Sequence, residues 1–223
     1  MPVIERPDLV IFDCDGVLVD TEPITLRVMR EWLAEHGLPL DEKTVATRFK
    51  GVFITAIQRA VEEELGRPIP GFVEGYRERM FGAFLKGVDP IPGAVETLDA
   101  LDAAGIACCV GSNGPHSKMD ASLEAAGLDI RFRRGGSRIF SADDVANPKP
   151  APDLFVYAAG AMAAHPRRCV VIEDSPSGVE AARDAGMACI AYADITPAEV
   201  LAEAKPDAVT QSMAEVPLLL GLV

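Results

Sequence analysis

Two aspartates two positions apart follow a short apolar run near the start of the chain. The run is Leu9–Phe12, the acids are Asp13 and Asp15, and Gly16 comes directly after them. Such a run predicts a strand buried on both faces, where carboxylates are costly without a cation or a hydrogen-bond donor. With strand alternation both acids point to the same side, so they could hold one divalent metal ion, or one could attack while the other moves protons.

Length and composition restrict the class of protein. The 223 residues are 49% hydrophobic, enough for one large domain or a core with a smaller insertion. A formal net charge of −13 argues against nucleic acid as a partner. No apolar stretch approaches the roughly 20 residues of a membrane span and no signal-peptide pattern is visible, so we expect a cytoplasmic protein with no membrane partner. The sequence does not determine the oligomeric state, and a monomer is one of the possibilities.

The five cysteines predict no special chemistry. They lack CxxC spacing and lie in apolar, strand-like runs, which is typical of reduced thiols that pack as small hydrophobic side chains. Cys14, between the two aspartates, is expected to point to the opposite face and pack there.

The hydrophobic pattern changes from strand to helix after the first motif and later alternates between the two. Residues 21–89 show helical spacing with glycine stops, which predicts a four-helix insert, followed by a Pro/Gly-rich hinge at Val88–Gly93. Strands are predicted at residues 106–111, 169–172, 187–192 and 208–210, and helices at about 93–104, 115–126, 152–164 and 176–185. This order predicts an α/β fold, a Rossmann-like parallel sheet core of residues 1–20 and 90–223 with an inserted α-helical cap.

Polar side chains follow the later strands as well. Parallel sheets place ligands at the carboxyl ends of their strands, and here one strand ends in Ser112 and Asn113 and another in Glu173 and Asp174. Helices that begin near prolines follow both, and helix N-termini attract anions. Lys149, held between two prolines, supplies a cation.

This set of side chains is suited to phosphoryl transfer. An ionised carboxylate can attack phosphorus without a separate base, and the resulting acyl phosphate divides one difficult step into two. Magnesium and Lys149 would neutralise charge on the phosphoryl oxygens. Asp15 could protonate the leaving alkoxide and later take a proton from water.

The motifs, in this order, resemble those of the haloacid dehalogenase superfamily. The first is Asp13-Cys14-Asp15-Gly16-Val17-Leu18-Val19-Asp20-Thr21, and Ser112, Lys149 and Glu173-Asp174 follow as the other three. The position of the insert resembles the subgroup that contains β-phosphoglucomutase and small sugar-phosphate phosphatases. Retention of Asp15 and of both acids in the fourth motif argues against the dehalogenase branch itself, whose members dispense with metal.

The resemblance implies a role for each motif residue. Asp13 would be the nucleophile, Asp15 the acid and base, and Ser112 and Lys149 the residues that hold the phosphoryl group. The implied magnesium ligands are Asp13, the Asp15 carbonyl and Asp174, with Glu173 supporting the metal directly or through water.

The substrate predicted from these motifs is a small phosphorylated metabolite, either a sugar phosphate or a sugar-acid phosphate. The segments Arg48–Val52 and Val110–Pro115, the latter with Lys118 and Met119, are similar to a bacterial 6-phosphogluconate phosphatase. The candidate substrate-binding residues are Glu22, Arg48, Lys50, Gly51, Ser112, Asn113 and Lys149.

Several of these residues have simpler interpretations. The side chains of Ser112 and Asn113 could serve only as an N-cap for the helix near Pro115. Arg48 and Lys50 could simply lie on the solvent-exposed face of a helix. The basic stretch Arg131–Arg138 is interpreted as a surface loop in preference to a second phosphate site. None of the three histidines is a site candidate.

Two alternative functions remain open: a phosphomutase of the β-phosphoglucomutase type and a phosphate-sensing protein without catalytic activity. The presence of all four motifs argues against a protein without catalytic activity. Mutases of that type carry a histidine early in the first cap helix and an arginine after the Lys-Gly of the cap loop. Those positions fall here at about Thr25 and Ile54, which favours water as the final acceptor.

Overall fold

The structure is a computed structural model that describes residues 4–49 and 52–222. The predictions for Lys50 and Gly51 lie outside the described residues. The chain divides into two compact units, one formed by Met1–Asp20 with Asp89–Val223 and the other by Thr21–Val88. The assignment of these units as catalytic core and cap remains a prediction.

The helices and strands follow one another in an alternating order outside the insert. After β1 (Leu9–Phe12) come the four helices of the second unit, α1 (Glu22–Glu35), α2 (Glu42–Phe49), α3 (Ile54–Leu65) and α4 (Phe72–Phe84). The chain continues with α5 (Ala94–Ala104), β2 (Ala107–Ser112), α6 (His116–Ala125), α7 (Asp129–Arg133), β3 (Ile139–Ser141) and α8 (Asp153–Ala161). It ends with β4 (Cys169–Glu173), α9 (Pro176–Asp184), β5 (Ala188–Tyr192), α10 (Ala198–Glu203), β6 (Ala208–Thr210) and α11 (Val216–Leu219).

The strands of the first unit form one six-stranded sheet in the order β3-β2-β1-β4-β5-β6, with every pair parallel. Phe12 at the end of β1 pairs with Val110 on one side and with Ile172 on the other. All residues of β1 are buried, as expected for a central strand covered on both faces. The predicted α/β fold, with a parallel sheet and a helical region between β1 and β2, is confirmed.

The sequence pattern missed β3, α7, α10 and α11. β3 is three residues long and α7 five, so neither is long enough to show a period. The stretch predicted as a loop around Arg131 therefore includes a helix. Its arginines are bound to acidic neighbours: Arg131 pairs with Asp99 at 2.5 Å and with Asp102 at 3.3 Å, and Arg133 pairs with Asp120.

The four helices of the second unit pack on their own small core. Gly75 of α4 faces the ring of Trp32 in α1, and an added Cβ there would lie 2.6 Å from the ring carbon Cη2. Arg79 reaches Glu35 with two hydrogen bonds of 2.5 and 2.6 Å. The absence of a side chain at position 75 thus allows α1 and α4 to approach closely.

Within the first unit, the segments that lead into and out of the insert lie side by side. The amide of Asp20 donates to the carbonyl of Asp89 at 2.9 Å, and the amide of Ile91 donates to the carbonyl of Leu18 at 3.0 Å. All five cysteines are buried free thiols, which confirms that prediction. Among the described residues, no helix has the length and apolar character needed to cross a membrane.

Candidate active site

The loop after β1 carries the acidic pair beside Asp174. The amide of Asp13 donates to the carbonyl of Ile172 at 2.9 Å, which continues the pairing of β1 with β4. Gly16 then turns the chain with a φ of +78°, a conformation that glycine adopts without steric cost. An added Cβ at Gly16 would lie only 2.3 Å from Oδ2 of Asp174, so the backbone itself packs against that carboxylate.

Lys149 joins two of the acids. Its Nζ donates to Oδ1 of Asp13 at 2.6 Å and to Oε1 of Glu173 at 2.7 Å, and its side chain is 3% exposed. Burial disfavours the ammonium, but the charges and hydrogen bonds of Asp13 and Glu173 outweigh it and raise the pKa of Lys149. The lysine is therefore a permanent buried cation between two strand ends.

The carboxylate of Glu173 is fixed by hydrogen bonds to both of its oxygens and by the close approach of Gly178. Its Oε2 accepts hydrogen bonds of 2.8 Å from the amide and from the hydroxyl of Ser175. An added Cβ at Gly178 would lie 1.9 Å from Oε1 of Glu173, so only glycine leaves room for this side chain. Because both carboxylate oxygens already have protein partners, Glu173 is well placed to orient Lys149.

The buried acids outnumber their cation. Burial raises the pKa of Asp13 to about 6, with Lys149 opposing the shift and Glu173 adding to it. Burial, together with the charges of Glu173 and Asp13, raises the pKa of Asp174 well above its usual range. One ammonium thus faces three carboxylates, and a further cation would relieve the excess charge.

The donor set fits Mg²⁺. Within residues 4–49 and 52–222, the carboxylate of Asp174 makes no hydrogen bond, whereas Glu173 makes three. No cluster of three or more acidic, histidine or cysteine ligands occurs in that part of the chain. Mg²⁺ usually binds through one or two carboxylates and keeps several waters, so Asp13 and Asp174 with a carbonyl oxygen suit it.

Asp15 is more exposed to solvent than Asp13 and forms an ion pair with a different lysine, Lys118. Its Oδ2 accepts a 2.7 Å hydrogen bond from Nζ of Lys118, and the two side chains are 28% and 21% exposed. Lys118 was assigned no role from the sequence. A signal was present, because it lies on the first turns of the helix that follows Ser112, close to a strand end.

Ser112 and Asn113 do not cap α6. That helix begins after Pro115 without a side-chain cap, so the N-cap interpretation is wrong. The buried hydroxyl of Ser112 accepts a 3.2 Å hydrogen bond from the amide of Gly114. The side chain of Asn113 binds the backbone of Lys149 instead, with hydrogen bonds of 3.0 and 3.2 Å.

The loop after β2 is also held from the side of β3. The hydroxyl of Ser141 donates to the carbonyl of Gly114 at 2.8 Å. Asp144, just beyond, lies 2.9 Å from Nε2 of His116, the first residue of α6. The strand that the sequence pattern missed therefore helps to set the position of the Ser112 loop.

The candidates of the second unit are described within that unit only. Glu22 is the first residue of α1. Arg48 lies in the last turn of α2, where it forms a 2.5 Å ion pair with Glu64 and stacks on Phe49. Their substrate contacts remain predictions.

A parallel sheet with a buried acid, a bridging lysine and a second acid at its strand ends defines a class, the α/β enzymes of phosphoryl transfer. The sequence profile of the haloacid dehalogenase-like hydrolases matches residues 7–186. The chain belongs to this family, in the predicted β-phosphoglucomutase-like subgroup, and it is a phosphatase acting on phosphate monoesters. Members of the family generally depend on a divalent metal ion.

Several relatives extend over most of the chain. It is 35% identical over 184 residues to the 6-phosphogluconate phosphatase of Escherichia coli, covering 82% of this chain and 80% of that one. It is 31% identical over 184 residues to the fructose-1-phosphate phosphatase of Escherichia coli, covering 82% and 95%. A family hydrolase of Deinococcus radiodurans, solved with bound phosphate and sodium, is 34% identical with a TM-score of 0.80, covering 98% of both chains.

Proposed function

We propose that this phosphatase hydrolyses a small phosphorylated sugar or sugar acid through an acyl phosphate formed on Asp13. The observation that carries the proposal is the contact of Lys149 with Asp13 and Glu173 at 2.6 and 2.7 Å in a buried site. A nucleophilic carboxylate beside a fixed ammonium can attack a phosphoryl group whose charge that ammonium also neutralises.

Each residue has a part in two half-reactions. In the first, Asp13 attacks phosphorus, the ester bond breaks, and Asp15 gives a proton to the leaving oxygen. In the second, Asp15 takes a proton from a water molecule that attacks the acyl phosphate and releases inorganic phosphate. Lys149 and the hydroxyl of Ser112 hold the phosphoryl oxygens throughout.

Asp13 and Asp174 would hold Mg²⁺, with the backbone carbonyl of Asp15 and water completing the set. When bound, the ion supplies positive charge at the transferring phosphoryl group. Glu173 is better suited to orienting Lys149 than to direct ligation, because both of its oxygens already accept hydrogen bonds.

The first substrate to test is 6-phosphogluconate. Support comes from the 35% identity to a phosphatase of that name and from a second relative named for fructose 1-phosphate. Both names describe phosphorylated carbohydrates, so the proposed class is wider than either compound. Arg48 and Glu22 remain the candidate contacts of the helical unit.

Phosphomutase activity is the second candidate, and the residues at the relevant positions disfavour it. Thr25 donates its hydroxyl to the carbonyl of Glu22 at 3.0 Å within α1, and Ile54 is the first residue of α3. Neither side chain carries a cation or an imidazole that could hold a second phosphate. Water is then the expected acceptor for the phosphoryl group.

The decisive experiment measures release of inorganic phosphate from a panel of phosphorylated metabolites and from p-nitrophenyl phosphate, with and without Mg²⁺. We expect Asp13→Asn to lower kcat by about 10⁴-fold or more while thermal unfolding stays cooperative. A purified variant, checked for deamidation, that keeps more than about a tenth of wild-type kcat would remove Asp13 from the nucleophilic role.

A second arm separates hydrolysis from transfer. Incubation with β-glucose 1-phosphate and a bisphosphate primer should release inorganic phosphate, if there is any reaction, and yield little glucose 6-phosphate. Faster accumulation of isomerised sugar phosphate would favour the mutase. Absence of turnover with every substrate, p-nitrophenyl phosphate included, would favour a phosphate-sensing protein.

A further inference from the structure

We infer that Asn113 is a positioning residue for Lys149 and not a substrate contact, an inference that rests on the proposed role of Lys149. Its side-chain Oδ1 accepts from the amide of Lys149 at 3.0 Å, and its Nδ2 donates to the carbonyl of Lys149 at 3.2 Å. One side-chain amide thus binds both polar groups of a single backbone residue 36 positions later.

Lys149 needs such support because the sheet does not provide it. The residue lies in the loop between β3 and α8, and no strand pairs with it. Within the described ranges 4–49 and 52–222, its backbone amide and carbonyl hydrogen-bond to Asn113 and to no other residue. The adjoining turn closes between Ala151 and Pro148 at 2.9 Å and leaves both groups of Lys149 to Asn113.

The position of the Lys149 backbone matters because the ammonium must reach two carboxylates, those of Asp13 and Glu173, at the same time. Nζ lies 2.6 Å from Asp13 and 2.7 Å from Glu173, and the four-carbon stem that carries it is flexible by itself. A shift of about 1 Å at a reacting group can cost about 10²-fold in rate. Asn113 follows β2 directly after Ser112, so it ties the lysine to the same strand end that presents the serine.

The chemistry of the contact selects asparagine. Binding a backbone N–H and a backbone C=O together requires one acceptor and one donor on a short side chain, which asparagine has and aspartate, leucine and alanine lack. The groups used in this contact are the carbonyl oxygen and one N–H of the amide. The prediction that Asn113 binds substrate through this amide is therefore replaced by a role exerted through Lys149.

The test is a double-mutant cycle measured on p-nitrophenyl phosphate and two metabolite substrates. We expect Asn113→Ala to lower kcat by about 10- to 100-fold for every substrate, without changing their ranking. In a Lys149→Ala background, Asn113→Ala should lower kcat by less than about 3-fold, because the ammonium that Asn113 positions is gone. Asn147→Ala is the matched control, since Asn147 lies in the same loop, is exposed, and donates its side-chain amide to Asp153 at 2.9 Å.

Several results would overturn the inference. A changed substrate ranking in Asn113→Ala would make Asn113 a substrate contact, and an equal loss in both backgrounds would make its role merely structural. If Asn113→Ala does not unfold cooperatively, Asn113→Ser is carried through the same cycle. Wild-type activity in Lys149→Ala would refute the proposed function and this inference together, whereas impairment of Lys149→Ala with none in Asn113→Ala would refute this inference alone.

Discussion

Two lysines contact Asp13 and Asp15 of the first motif, and the surroundings of the two lysines differ. Lys149 is 3% exposed, meets Asp13 and Glu173 together, and has its backbone held by Asn113. Lys118 is 21% exposed, extends from a helix, and meets Asp15, which is 28% exposed. In the proposed mechanism the buried lysine holds the phosphoryl group that all phosphate esters share, whereas the open one lies beside Asp15, the acid proposed to act on the variable leaving group.

Burial explains why the two pairs should contribute differently. A charge pair removed from water interacts strongly, and loss of one partner leaves the other uncompensated. A pair that water still reaches contributes little to stability and can exchange partners. We therefore expect large, substrate-independent effects at Lys149 and smaller, substrate-dependent effects at Lys118.

Among the variants that test the difference between the two lysines, the largest effect is expected from Lys149→Ala. Loss of the ammonium should lower kcat/KM by about 10³-fold for every substrate, because its proposed contact is the phosphoryl group common to all. It should also lower the free energy of unfolding by about 3 kcal/mol, since Asp13 and Glu173 lose their buried cation. Kinetics on a substrate panel and denaturant unfolding measure both, and losses that differ widely between substrates would contradict the assignment.

The next effect is expected from a position that touches neither substrate nor lysine. In Gly178→Ala the new methyl group would meet Glu173 at 1.9 Å and displace it, so kcat should fall by about 10²-fold. Gly160→Ala is the matched control, because Gly160 is also helical and an added Cβ meets nothing within 4 Å. If both variants keep wild-type kcat, Glu173 does not position Lys149.

A moderate effect is expected from Lys118→Met. The variant keeps most of the length of the side chain but removes the charge beside Asp15, and kcat/KM should fall by about 10-fold, to an extent that depends on the substrate. The free energy of unfolding should change by less than about 1 kcal/mol. Lys118→Arg, which keeps the charge, is the control, and a uniform loss like that of Lys149→Ala would erase the distinction between the two lysines.

The smallest effect is expected in the helical unit. Arg48→Ala should change kcat/KM by about 3- to 10-fold and alter the ranking of substrates, because a specificity contact acts on the leaving group. Arg30→Ala is the control: Arg30 is a similar exposed arginine, 3.7 Å from Glu42, with no predicted role. Equal small changes for both variants across all substrates would remove Arg48 from substrate recognition.

Sequence patterns were most informative where an unbroken apolar run is followed by a polar residue. The apolar runs of β1 and β4 are hydrophobic throughout, so their ends, and the acids that follow, could be located. The three-residue strand β3 has no such pattern, and its contact with the Ser112 loop through Ser141 was missed. The fold class and the motif residues were thus predictable, while the support around them was not.

The partners of individual side chains could not be predicted from local sequence, for one physical reason. Lys149 by itself would be a solvated lysine, and Asn113 a helix cap, on local grounds. Their actual partners are 24 positions or more away along the chain, at distances set by the packing of separate strand ends. Local propensity contains no information about such pairs.

The sequence by itself determined the alternation of strands and helices and the acidic pair at the end of β1, because hydrophobic periodicity and motif spacing are local properties of the chain. Only the tertiary structure decided which cation meets which acid. Lys149 became the buried partner of Asp13 and Glu173 and Lys118 the open partner of Asp15. The reason is that burial and charge pairing depend on which strand ends come together in the sheet, a property of the whole fold.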